Sequence, residues 1–260
     1  MSRRSVLVVL VVAVAVVGGI VYRYAAGGAR ETSSAQTSRS STSRAHTTRR
    51  SAVSRVRTRL VERSTGRLPA PLQEAAAAAT GNRTMLMLGG LTAADTSTNS
   101  ILLTNVRGAS RRGVLPTALH DAAAANLGRF TYLFGGGDGL RQLDTIVRVD
   151  DASGATATAG RLPNPSSDQA AAVVAGTAYV VGGYTGTRWL DTIVAWRPGA
   201  AARIVAHLPT PVRYAAVTAA GDRLVVAGGS LPSGSASDAV FIFEPSRHRL
   251  VRVGRLKYGG

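Results

Sequence analysis

Two glycine-rich loops, GGYTGTR from Gly182 and GGGDGL from Gly135, have the residue types of a phosphate cradle. Such a cradle works when backbone N–H groups converge and a helix N-terminus follows. Here the runs DTIVAW and DTIVRV follow instead, and their alternation predicts strands. The glycines are therefore read as backbone positions needing a positive φ or a close approach. Asp144, Asp191 and Asp238 recur at intervals of 47. They could form an acidic or metal-binding ring. As a repeated position, each is expected to cap the turn of its own unit by accepting backbone hydrogen bonds. His120, His207 and His248 occupy non-equivalent places and show no metal-ligand spacing. The absence of cysteine removes thiolate sites and a Cys nucleophile. No Ser-His-Asp order or carboxylate pair stands out, so no catalytic residue, metal or cofactor is assigned.

Recognition chemistry is better supplied. Arg141, Tyr184, Arg188 and Trp189 lie in polar loops that differ from one another, and they offer charge-assisted bonds and stacking surfaces. Asp138 and Arg141 share one such loop, as an acid and a base. Arg141, Tyr184, Arg188 and Trp189 are the candidate ligand-binding set. The alternative is that they are ordinary exposed loop residues.

The elements that must position them come from repetition. Leu-Pro occurs at Leu68, Leu115, Leu162 and Leu208, at intervals of 47, 47 and 46. Glycine pairs begin at Gly89, Gly135, Gly182 and Gly228, at intervals of 46, 47 and 46. Their second members are Gly90, Gly136, Gly183 and Gly229. Independent landmarks on one period define a repeat unit. Each unit reads as Leu-Pro, an Ala-rich run, a turn, a hydrophobic strand ending in the glycine pair, a polar loop, a strand opened by Asp, and a weaker alternating run. Four short strands per unit make one antiparallel sheet. A sheet with two apolar faces must pack on copies of itself, and radial packing gives a β-propeller. The Ala runs suit innermost strands crowded around the axis.

The glycine pair ending a strand, the downstream Asp, and the aromatics Tyr132, Phe134, Tyr179 and Trp196 resemble Kelch repeats of the galactose oxidase central-domain type. The resemblance covers roughly residues 67–254 and is eroded in the first and fourth units. It implies an all-β propeller with ligands taken by the loops, and the count of complete units gives about four four-stranded blades in an open or barely closed ring. The copper chemistry of galactose oxidase needs a Tyr-Cys crosslink, which a chain without cysteine cannot make. Blades are expected over about 67–114, 115–160, 161–206 and 207–254, with a fifth starting at 255–260.

Two segments precede the repeat. Val6 to Val21 carries no polar side chain and follows Arg3 and Arg4. It is expected, with residues 1–24, to be a signal anchor crossing the membrane once, at the short end of the range a bilayer requires. Residues 25–66 are rich in Ser, Thr and Arg and predict a disordered stalk. Near its end, VSRVRTRLV alternates and could add an outer strand. Of the net charge of +17, most belongs here: residues 1–67 hold 13 arginines against Glu31 and Glu62. Arg3 and Arg4 argue for a cytoplasmic N-terminus and a propeller outside the cytoplasm. The basic stalk argues the other way under the positive-inside rule. Export is favoured, because the segment reads first as a signal.

The expected function is a membrane-anchored, extracytoplasmic propeller that binds protein or carbohydrate without catalysis. The alternatives are a carbohydrate-active enzyme of the epimerase or hydrolase class, or a polybasic stalk tethering an anionic polymer. Self-association could complete the ring. No specific nucleic-acid binding is expected, because the arginines are spaced by Ser and Thr without aromatic interleaving.

Overall fold

The computed structural model describes Val61 and residues 66–257. The expected anchor, nearly all of the stalk including all but Val61 of VSRVRTRLV, and the last residues of the expected fifth unit lie outside the described residues. Among the described residues no helix is long and apolar enough to cross a membrane.

Among the described residues, sixteen strands form four antiparallel sheets of four, each in simple sequence order. The first holds β1 (Ala76–Ala79), β2 (Thr84–Leu88), β3 (Thr98–Asn105) and β4 (Gly108–Leu119). The second holds β5 (Ala123–Leu127), β6 (Phe130–Phe134), β7 (Thr145–Asp150) and β8 (Thr156–Arg161). The third holds β9 (Ala170–Val174), β10 (Thr177–Val181), β11 (Thr192–Trp196) and β12 (Arg203–His207). The fourth holds β13 (Ala216–Ala220), β14 (Arg223–Ala227), β15 (Ala239–Glu244) and β16 (Arg249–Arg255). The four sheets are the blades of a β-propeller. The Ala-rich strands β1, β5, β9 and β13 neighbour one another in that order around the axis, where a methyl side chain lets backbones approach. Strand β4 runs beyond the expected end of its unit at residue 114.

Successive strand residues point to opposite faces, and here both faces are apolar. In β6, Leu133 joins Leu86, Leu88 and Ile101 in the core between blades one and two. Its neighbours Tyr132 and Phe134 join Val180, Val194 and Trp196 in the core between blades two and three. In β10, Tyr179 and Val181 pack with Leu224, Val226 and Phe243 between blades three and four. Trp196 is the largest fully buried side chain, its ring edge-on to Tyr132 at 4.8 Å and Phe134 at 5.6 Å. A bulge recurs in the third strand of each later blade, at Ile146/Val147, Ile193/Val194 and Val240/Phe241. It kinks the strand just after the repeated Asp.

The glycine pairs are joints between blades. The N–H groups of Gly90, Gly136 and Gly183 donate to the carbonyls of Leu119, Ser166 and Val212, in the segments crossing to the next blade. Every glycine of the four pairs has positive φ, and a Cβ on Gly89, Gly135 or Gly182 would strike one of those same carbonyls. No helix follows any pair, so none is a phosphate cradle.

The repeated Asp differs from expectation in its partner. Its side chain reaches across to the outermost strand: Asp144 to Arg161 at 2.6 Å, Asp191 to His207 at 3.0 Å, and Asp238 to Arg252 and Arg255 at 3.2 and 2.9 Å. The backbone carbonyls do the turn work, accepting the N–H of Leu162, Leu208 and Leu256, each at 2.7 Å.

Candidate binding site at the channel mouth

Two residues before the innermost strands lie Glu74, Asp121, Asp168 and Tyr214, one per blade. All four hold the left-handed conformation, with φ of 55°, 51°, 62° and 55°. A non-glycine side chain adopts this conformation at some cost. Here a chain of inter-blade bonds holds it. Asp121 N–H donates to the Glu74 carbonyl at 3.0 Å, Asp168 N–H to Asp121 at 2.8 Å, and Tyr214 N–H to Asp168 at 2.8 Å. The preceding residues Gln73, His120, Ser167 and Arg213 bridge to Leu91, Gly137, Tyr184 and Ser230, just beyond the glycine pairs. The variable loops and the pre-strand residues of all four units thus meet at one end of the axis.

Three carboxyl groups converge there. Burial, the charges of Asp168 and Glu74, and a hydrogen bond with Asp168 push Asp121 up to about 8, against the opposing pull of Arg213. Asp168 is buried and pairs through Oδ2 with Arg213 Nη2 at 2.5 Å. The Arg213 guanidinium lies over the rings of Tyr184 at 4.6 Å, Trp189 at 5.0 Å and Tyr214 at 5.2 Å. Burial, with the nearby charges of Asp121 and Asp168, raises the Tyr214 hydroxyl. His120 Nδ1 lies 2.9 Å from Ser97 Oγ. One ligand atom from each of Glu74, His120 and Asp121 falls within 4.8 Å of the others. A nitrogen and two carboxylates at that spacing could ligate one divalent cation. The mouth therefore offers a proton-holding carboxyl at Asp121, a fixed guanidinium and partly exposed aromatic faces.

Of the residues singled out from sequence, Tyr184 and Trp189 are brought together. They pair across their loop, with ring centroids 6.5 Å apart, and both flank Arg213. Arg188 is exposed between them, its N–H bonded to Thr185 Oγ1 at 3.0 Å. Arg141 is exposed in the neighbouring loop, 3.5 Å from Asp138. Asp138 caps that loop by accepting N–H groups from Leu140 and Arg141, each at 2.9 Å, and those bonds hold it below the usual carboxylate range. It is thus kept ionised, which does not suit a general acid.

Glu74, Asp121, Asp168, Arg213 and Tyr214 escaped the sequence reading, and His120, which showed no metal-ligand spacing in the sequence, is brought beside Glu74 and Asp121 by the fold. A signal was present: positions 74, 121, 168 and 214 follow the same period of 47, 47 and 46 as the Leu-Pro landmarks. The residue type changes between units, which hides the position from a search for identical letters.

The fold defines a β-propeller. No protein-family model matches the chain, and no curated protein is similar to it. Among solved structures it is similar to that of YjhT, with 16% identity and a TM-score of 0.63, over 73% of this chain and 67% of that one. At that identity the likeness is one of fold.

Proposed function

We propose that this chain is a propeller binding module whose channel mouth takes a carbohydrate. The observation that supports it is the grouping of Tyr184, Trp189 and Tyr214 around Arg213, beside Asp121 and Glu74. Partly exposed rings offer flat apolar faces for the C–H side of a sugar ring, and carboxyls accept from its hydroxyls. Kinship with Kelch-type propellers, suggested by the glycine pairs and the repeated Asp, accords with ligands held by loops at one end. In a glycan-binding screen, Trp189→Ala and Asp121→Asn each weaken the bound glycan at least tenfold, whereas Leu140→Ala on the neighbouring loop does not. Unchanged binding in both site variants removes the proposal.

The carboxyl pair favours a second reading, a carbohydrate-active enzyme of the epimerase or hydrolase class. A carboxyl protonated at neutral pH, hydrogen-bonded to a second carboxyl that pairs with an arginine, is an arrangement acid–base catalysis uses. Turnover of a glycan by the intact protein, lost in Asp121→Asn while binding persists, separates this reading from the first.

The Val6–Val21 run behind Arg3 and Arg4 supports a single-pass anchor presenting the propeller outside the cytoplasm. Extraction of the full chain from membranes by alkaline carbonate argues against the anchor. A stalk that tethers anionic polymer predicts binding that falls steeply with salt.

A further inference from the structure

A cavity of about 620 Å³ lies between the crossing segment that contains Leu208 and Val212 and the face of the fourth blade that points toward the third. It is separate from the channel-mouth group. Val226, Phe241 and Leu250 are among its apolar walls, and among the described residues Asp238, Arg252 and Arg255 are its only charged lining.

The repeat shows that this space is not a general property of the fold. The corresponding place one blade earlier, bounded by Leu162, Val180, Leu190 and Val194, holds only about 10 Å³. Counting from the repeated Asp, Leu190 corresponds to Leu143 in the second unit and to Ser237 in the fourth. Leu190 is buried and walls the small hollow. Ser237 leaves that plug out, and Ala239 stands where the third unit has Thr192. The enlarged space falls within the range of roughly 300–1,000 Å³ typical of small-molecule sites.

The charges define what fits. Asp238 is shared by two guanidinium groups, Arg252 at 3.2 Å and Arg255 at 2.9 Å. One carboxylate against two guanidiniums leaves one positive charge at the rim of an apolar hollow. Guanidinium forks match carboxylate geometry.

We propose that the cavity between blades three and four is a binding site for a small amphiphilic anion, an apolar body with one carboxylate head. The body lies on Val226, Phe241 and Leu250, and the head completes the charge balance of Arg252 and Arg255.

The test is calorimetric titration of the full chain with sodium decanoate at two salt concentrations, beside decanol. Saturable one-to-one binding of decanoate, at least tenfold tighter than decanol, is expected. Ser237→Leu, which restores the side chain of the second and third units, abolishes it. Arg252→Gln with Arg255→Gln brings decanoate down to the level of decanol. Trp189→Ala leaves it unchanged, which separates this site from the channel mouth. Equal binding of decanol and decanoate overturns the anionic head. Undiminished binding in Ser237→Leu, with the variant's melting curve intact, overturns the cavity as the site, and so does no saturable binding by the parent chain.

Discussion

Asp121 is held protonated at neutral pH by burial and by the carboxylates on either side of it, and this has a consequence for stability. Its acidity shifts from 3.8 to about 8 on folding. Below the lower value the carboxyl is protonated in folded and unfolded chains alike. Between the two, only the folded chain holds the proton, so unfolding releases it and stability falls as pH rises. Above the upper value the loss is complete. Asp121→Asn copies the protonated form without titrating. The melting temperature of this variant relative to the parent therefore rises between pH 5 and pH 9, by about 2–4 °C for each kcal/mol in a domain of this size. A difference that stays flat with pH rules out the buried proton. At Trp196 the indole Nε1 has no hydrogen-bond partner, and the equivalent residue of the fourth unit is Phe243. Trp196→Ala is expected to cost about 3–5 kcal/mol through the cavity it leaves. Trp196→Phe costs far less, because it also removes an unsatisfied buried donor worth about 1–3 kcal/mol. Denaturant midpoints of the two variants decide this.

Within an element, the same residue type does different work at different turns. Gly176 lies in the hairpin between β9 and β10 with φ of 73° and open space where a Cβ would go. Gly182 has φ of 67°, and a Cβ there meets the Val212 carbonyl and side chain. Gly176→Ala therefore costs only the left-handed backbone term, about 1–2 kcal/mol. Gly182→Ala adds a clash at the joint between blades three and four and costs more than about 3 kcal/mol. Equal unfolding free energies for the two variants argue against the joint. The repeated Asp works at the same scale. Asp191 ties the start of β11 to His207 at the end of β12, an exposed pair, so Asp191→Asn is expected to cost no more than about 1 kcal/mol.

Across the whole molecule, the fourth blade presents a face that its siblings bury. Val225 and Ala227 of β14 and Val240 of β15 are half-buried. Their equivalents in the third blade, Tyr179, Val181 and Ile193, are 7%, 1% and 0% exposed. An uncovered apolar sheet face favours association. Proposed self-association through this face predicts a dimer by light scattering that dissociates in Val240→Glu. A monodisperse monomer of the parent chain sinks it.

The sequence alone carried the architecture, because a propeller writes its period into the chain. Identical letters recur where the backbone needs them: glycine where φ is positive and a carbonyl presses close, alanine where the innermost strands of successive blades neighbour one another, and alternating apolar residues along the strands packed between blades. It also singled out Arg141, Tyr184, Arg188 and Trp189 as loop residues with recognition value, of which Tyr184 and Trp189 flank Arg213. What it did not carry was which groups meet. Asp121 and Asp168 are 47 residues apart and become neighbours only because each blade hands its left-handed residue to the next through a backbone bond. Arg213 joins Tyr184 and Trp189 across a blade boundary for the same reason. The cavity beside Phe241 was equally hidden. A missing Leu at Ser237 is one letter in the chain, and only packing against the crossing segment turns it into a space. Periodicity fixes where each residue stands in its own blade, and the rotation between blades decides which residues face one another at the axis.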